Sequence, residues 1–293
     1  MGNTDASAWL QGAIPEDPEA AIAFFEARCT RHLTPCGKGN IMWRRWGQGP
    51  HVVLFHGGAG AWSHWIRNIG PLAQGHKVWA LDIPGLGESA LPEPLTMEGI
   101  GEAVMQGLGK LIPEGPIDIV GFSFGGPVAT YAAMHLGQRL HNLVLVASRF
   151  VPNFQRVYPR LVAWKEIADP VERIAAHKRN LELMMFAKPE NIDALAVHLQ
   201  ATNAPRARFF GPKVNAGNKL LEYLPKVQAQ GRITGICGRE DQAAAVIIDQ
   251  QQAALRDIHP EGIFHAIDDA GHWVQYEAAE QFNAFLLEAL ATR

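Results

Sequence analysis

The sequence predicts an α/β fold in which a mostly parallel sheet is flanked by helices and interrupted late by a helical insertion. Three observations predict it. Short apolar runs of strand length alternate with helical patterns over the first half of the chain, as βαβ units require. Several of these runs are continuously apolar, the mark of strands covered on both faces. From Phe150 to Pro225 the strand pattern stops, and a helical one takes over, broken by Pro159, Pro170, Pro189, Pro205 and Pro212.

In chain order, Glu16–Arg31 reads as an amphipathic helix with Pro15 and Pro18 at its start. Ile41–Trp46 reads as a strand. His51–Phe55 is an apolar run closed by Gly57 and Gly58, and Val78–Leu81 is another, closed by the loop Asp82–Gly87. Trp62–Ala73 between them can form a helix, as can Glu98–Leu111, which Pro113 ends. A strand through Ile117, Ile119 and Val120 and a helix over Pro127–Leu136 flank the pentapeptide Gly121-Phe122-Ser123-Phe124-Gly125. Leu143–Ala147 is the next strand. The inserted stretch is rich in large side chains, among them Phe154, Trp164, Met184, Met185, Phe186, Phe209 and Phe210. Ile233–Cys237 and Ile263–Ile267 resume the sheet, and Gln275–Leu290 reads as a closing helix.

Composition narrows the function classes. The chain has 293 residues, 47% of them hydrophobic, enough for one large core with an inserted subdomain. A net charge of -3 and the absence of a basic stripe argue against nucleic-acid binding. The three cysteines, Cys29, Cys36 and Cys237, are odd in number and form no C-x-x-C, so a reducing compartment is expected. Met1–Gln11 does not read as a secretory signal, and no apolar run reaches membrane-spanning length. The expectation is a soluble cytoplasmic protein that acts on a small molecule, with no membrane partner; a homo-oligomer is left open.

The pentapeptide carries the chemistry. A strand-to-helix turn that tight strains the serine backbone, and glycines on both sides remove Cβ atoms that would collide. The Ser123 hydroxyl is then presented at a helix N-terminus, where negative charge is stabilised. In parallel sheets, functional loops lie beyond the carboxyl ends of strands. Three further ends carry reactive residue types: His56-Gly57-Gly58, Asp241 after Cys237, and His272 within Gly271-His272-Trp273. Glu240, Asp268 and Asp269 compete with Asp241. His56 and His265 compete with His272 and are assigned to oxyanion-loop support and strand packing. His64 is assigned either to the site or to the surface. No histidine and carboxylate spacing suits a metal, and no cofactor is expected.

The order Ser123, Asp241, His272 resembles that of the α/β-hydrolase superfamily over nearly the whole chain. The loop Asp82–Ser89 also resembles a recurrent loop of that family and is taken as mainly structural. The resemblance implies the α/β-hydrolase fold with a helical lid after the sixth strand, core segments 1–148 and 226–293, and lid 149–225. It implies Ser123 as nucleophile, His272 as proton carrier and Asp241 as its orienting acid. Backbone N–H groups of Gly58 and Phe124 would form the oxyanion hole. Trp62, Trp65, Met184, Met185 and Trp273, with Phe122 and Phe124, are expected to line an apolar pocket.

A serine at this position speaks against haloalkane dehalogenases and epoxide hydrolases, which use aspartate. The segment Gly271–Glu277 and the Met184-Met185 region are similar to meta-cleavage product hydrolases, which cleave carbon–carbon bonds. That family binds a substrate carboxylate through a lid arginine, and Gln200 falls near that position here, with Arg206 the nearest arginine. A small, fairly apolar ester or lactone therefore ranks first, and carbon–carbon bond hydrolysis second. A cofactor-free oxygenase and a non-catalytic ligand-binding protein are the other readings of this architecture.

Overall fold

Eight strands form one sheet in the order β1-β2-β4-β3-β5-β6-β7-β8. They are β1 (Thr30–Cys36), β2 (Gly39–Trp46), β3 (His51–Phe55), β4 (Lys77–Leu81), β5 (Ile117–Phe122), β6 (Leu140–Val146), β7 (Ile233–Gly238) and β8 (Ile263–Ile267). Pairs β1/β2 and β2/β4 are antiparallel, and every later pair is parallel. The structure, a computed structural model, describes residues 14–151, 159–209, 211–215, 218–242 and 247–291. Met1–Gln11, Phe154 and Phe210 lie outside the described residues.

The helices in chain order are α1 (Pro18–Glu26), α2 (Ile69–Ala73), α3 (Met97–Leu111), α4 (Gly125–Leu136), α5 (Pro170–Met184), α6 (Ala194–Asn203), α7 (Gly211–Val214), α8 (Lys219–Tyr223), α9 (Ile248–Ile258), α10 (Val274–Glu277) and α11 (Ala279–Ala291). Side-chain caps set several starts: Asp17, Thr96, Asp169 and Asp193 accept N–H bonds from the first turns of α1, α3, α5 and α6.

The continuous apolar runs have a simple cause. Val52 and Leu54 of β3 point into one core with Trp65, Ile69, Phe282 and Leu286. Val53 and Phe55 point into a second core with Ile100, Val104, Val128 and Ala132. With both faces covered, successive positions are all buried, and the period of two disappears from the sequence.

The fold class stands as read: a mostly parallel sheet with helices on both faces and a helical segment after the sixth strand. Local boundaries differ. The helix expected over Glu16–Arg31 ends at Glu26, and β1 follows it. Among the described residues this strand pairs only with β2, buries few side chains and carries Pro35, so it has the composition of a loop. Trp62–Ala73 splits into a 3₁₀ turn (Trp62–Trp65) and α2. Tertiary partners hold that region: Asp82 Oδ1 accepts the Trp62 N–H at 2.8 Å, and Asn68 Nδ2 donates to Gln275 O at 2.9 Å. The closing helix breaks at Ala278 into α10 and α11.

Sheet register places the site. Phe55 pairs with Gly121, Phe122 with Val146, and Gly238 with Ile267. The loops carrying His56, Ser123, Asp241 and His272 therefore leave one edge of the sheet together. Among the described residues, no helix is long and apolar enough to cross a membrane.

Candidate active site

Ser123 follows β5 with φ +50°, a left-handed conformation that costs a non-glycine residue on the order of 1–3 kcal/mol. Its surroundings hold it there. The Ser123 N–H donates to Val146 O at 2.9 Å, and its carbonyl accepts the Gly126 N–H at 2.9 Å. A Cβ on Gly121 would lie 2.6 Å from the Ala129 Cβ, and one on Gly125 would lie 2.5 Å from His56 O. Both glycines are therefore required by close approach, as the pentapeptide suggested. The hydroxyl sits at the start of α4 and is partly exposed.

Two loops converge on it. His272 Nε2 lies 2.8 Å from Ser123 Oγ, and His272 Nδ1 lies 2.7 Å from Asp241 Oδ2. A carboxylate only accepts, so Nδ1 carries the proton and Nε2 is free to accept from the serine. Asp241 and His272 are 1% and 3% exposed, so water screens the pair weakly. The rival acids face elsewhere: Glu240 accepts the Ala270 N–H, Asp268 pairs with Arg239, and Asp269 pairs with Lys188. His265 stacks on Phe285, in line with a packing role.

The N–H groups of Gly58 and Phe124 have no acceptor among the described residues. The two residues are close, since a Cβ on Gly58 would lie 3.5 Å from the Phe124 Cβ. Two buried histidines fix the loop that carries Gly58. His56 Nε2 accepts the Ile83 N–H at 2.9 Å, so its proton is on Nδ1, which donates to Gly57 O at 2.8 Å. A trans peptide points its C=O and N–H in opposite directions. Anchoring Gly57 O on His56 therefore aims the Gly58 N–H the other way.

His64 Nδ1 accepts the Gly57 N–H at 3.3 Å, and the His64 ring occupies the space a Cβ on Gly60 would need. Burial, then the neighbouring His56 and His272, hold the His64 pKa well below its usual value; burial also lowers that of His56. Both rings are neutral beside His272. The surface role considered for His64 is corrected, because it is 3% exposed. Asp82 receives the buried Arg44 guanidinium as well as the Trp62 and Glu88 N–H groups, so the Asp82–Ser89 loop braces the turn after β3 at Trp62.

The expected pocket residues divide. Trp62 turns into the core against Phe25 and Trp46, and Trp65 is fully buried against Phe122 and Phe282. Both pocket assignments are corrected, because these rings are taken up in core packing. Trp273 is also covered, packed on Tyr276, Phe186 and His64. Met184 and Met185, at the end of α5, are partly exposed and stay candidates. Sequence reasoning passed over Glu277, whose carboxylate accepts the Gly271 N–H at 2.7 Å beside His272. Its only visible signal was its place five residues after His272.

The sequence profile of the alpha/beta hydrolase family matches residues 52–285. The chain belongs to this family. A 2-hydroxy-6-oxo-6-phenylhexa-2,4-dienoate hydrolase of Burkholderia cepacia is 27% identical over 261 residues, 84% of this chain and 89% of the relative. A pimeloyl-[acyl-carrier protein] methyl ester esterase of Vibrio campbellii is 35% identical over 132 residues, covering 45% of this chain and 48% of the esterase. The solved 2-hydroxy-6-oxo-6-phenylhexa-2,4-dienoate hydrolase of a Rhodococcus species superposes with a TM-score of 0.72 at 22% identity, over 89% of this chain and 98% of that one. Family members are hydrolases, and hydrolysis is the coarse activity of this chain.

Proposed function

We propose that this chain is a serine hydrolase that works through an acyl-enzyme on Ser123. The observation that carries the reading is the relay from Ser123 Oγ through His272 to Asp241, with steps of 2.8 and 2.7 Å. Ser123 Oγ attacks a carbonyl carbon as its proton passes to His272 Nε2. The resulting oxyanion accepts hydrogen bonds from the Gly58 and Phe124 N–H groups. Asp241 stabilises the imidazolium, which then protonates the leaving group as the bond to it breaks. Water repeats the sequence on the acyl-enzyme, releases the acid and restores Ser123. The helices between β6 and β7, 149–225, act as the lid.

The bond cleaved is inferred from the relatives. Those aligned over most of both chains are dienoate hydrolases, and they favour carbon–carbon cleavage beside a ketone. In that reaction the leaving group is a carbon whose charge the conjugated oxo-acid spreads. This preference displaces the ester ranked first from the sequence. The ester reading retains two supports: Gln200 is neutral and Arg206 is exposed, and the Vibrio campbellii esterase, matched over less than half of each chain, is 35% identical there.

A substrate panel decides between them. Loss of dienoate absorbance is followed beside release of p-nitrophenol from short acyl esters, with Ser123→Ala as control. A kcat/KM for the dienoate at least tenfold above that for any ester is expected. The reverse order would restore the ester, and no turnover with no fluorophosphonate labelling of Ser123 would remove the hydrolase reading.

A further inference from the structure

The loop that presents His272 does not stand alone. It is tied to the segment 185–193, which joins α5 to α6 between β6 and β7. Trp273 N donates to Met185 O at 2.8 Å. A Cβ on Gly271 would fall 2.6 Å from Ala187 N, 2.7 Å from the Phe186 carbonyl carbon and 2.9 Å from Met185 O. The backbone of 185–187 is thus a wall directly behind the residue that precedes His272, and only glycine fits against it.

Glu277 closes this contact. One carboxylate oxygen accepts the Gly271 N–H at 2.7 Å and the Ala187 N–H at 2.9 Å. The other accepts from Ala187 N at 3.1 Å, Lys188 N at 3.0 Å and Asn191 Nδ2 at 3.1 Å. A single anion therefore gathers donors from the histidine loop and from the helical segment. Charge-assisted bonds of this kind are the stronger class, and their geometry depends on both sides being present. When 185–191 lifts away, Glu277 keeps only the Gly271 N–H, Trp273 loses Met185 O, and Gly271 loses its wall. The ring that must stay within hydrogen-bond reach of both Ser123 and Asp241 then relies on its flanking ties, Ala270 to Glu240 and Trp273 Nε1 to His64 O, with Gly271 less firmly placed between them.

We infer that Glu277 is a positioning residue that couples seating of the 185–191 segment to alignment of His272. This rests on the proposed hydrolase chemistry, because only then does His272 alignment set a rate. The base is assembled when the segment is down over the site and loosened when it opens. Seating and readiness for proton transfer become one event, carried by the donors that the segment gives Glu277.

Glu277→Gln tests it. The amide keeps the shape but has one acceptor oxygen, and its NH₂ faces N–H donors. Misplacement of a base on this scale costs about 10–100-fold in rate. The expected result is a kcat lowered by about that factor with KM changed less than threefold. Fluorophosphonate labelling of Ser123, measured on folded protein well below its melting temperature, slows in parallel. The low-field proton resonance of His272 Nδ1–H, identified by its loss in His272→Ala, broadens in Glu277→Gln. Lys188→Ala removes an exposed ion pair to Asp269 between the same segments but leaves the backbone donors, and its kcat stays within twofold. A Glu277→Gln protein with a lower melting temperature but an unchanged labelling rate and a sharp resonance would overturn the coupling. Equal loss of kcat in Lys188→Ala would also overturn it. Failure of the wild-type protein to label at Ser123 would instead remove the hydrolase reading and the coupling with it.

Discussion

His56 offers the sharpest test of how the oxyanion loop is aimed. It is fully buried and makes two bonds of opposite sense, accepting from Ile83 N–H and donating to Gly57 O. Asparagine places its amide where the His56 Nδ1 edge lies, so His56→Asn keeps a donor for Gly57 O but does not reach Ile83. It leaves one buried N–H unpaired, about 1–3 kcal/mol of stability. His56→Leu removes both bonds, about 2–6 kcal/mol by the same reckoning, and frees the Gly57–Gly58 peptide to rotate. Loss of one oxyanion donor typically costs 10²–10³ in kcat, about 2.7–4 kcal/mol. Expected, per folded molecule, is a kcat within about fivefold of wild type for Asn and a loss on the order of 10²-fold for Leu. Urea unfolding supplies the folded fraction, and pre-steady-state release of p-nitrophenol supplies the acylation rate. A folded Leu variant with wild-type acylation, or an Asn variant as slow as Leu, would refute the claim that His56 acts through the Gly58 N–H.

Three further outcomes are expected. Asp241→Asn lowers kcat by about 10⁴, because the amide no longer fixes the His272 tautomer; a change under tenfold in steady-state kinetics would exclude the Asp241 role. Gly271→Ala cannot be seated without moving 185–187, so it lowers the melting temperature and kcat together; a crystal structure with the 185–188 backbone unmoved would contradict this. The third concerns pH. The folded-state pKa of His64 is depressed below 6.5, so below pH 6.5 the unfolded chain binds the extra proton, and stability falls with pH until the folded pKa is reached. His64→Asn keeps an acceptor for Gly57 N–H but removes the titration. Between pH 6 and 5 the wild type should lose about 1 kcal/mol more per pH unit than the variant, and parallel urea-unfolding midpoints would rule it out.

What the sequence disclosed follows from what each residue answers to. Ser123, Asp241 and His272 were legible because each follows an apolar run, and in a parallel sheet the ends of such runs share one edge. The glycines around Ser123 answer to local crowding, which a pentapeptide can display. Trp62 and Trp65 were misplaced because a strand end fixes where a loop starts but not which way its rings turn. β1 escaped because an edge strand with Pro35 buries too little to leave a pattern.

The roles of His64 and Glu277 were illegible for a deeper reason. Each acts on backbone groups, and a backbone N–H has no letter in the sequence. Glu277 gathers donors that lie 6, 86, 89 and 90 residues away, three of them main-chain N–H groups. His64 meets Gly57 seven residues earlier, but only because Gly60 vacates the space for its ring. The residues of the proposed relay were readable one by one. The groups that hold them in place emerge only when main-chain partners from separate segments meet, and it is on those meetings that the proposed alignment of His272 and of the Gly58 N–H rests.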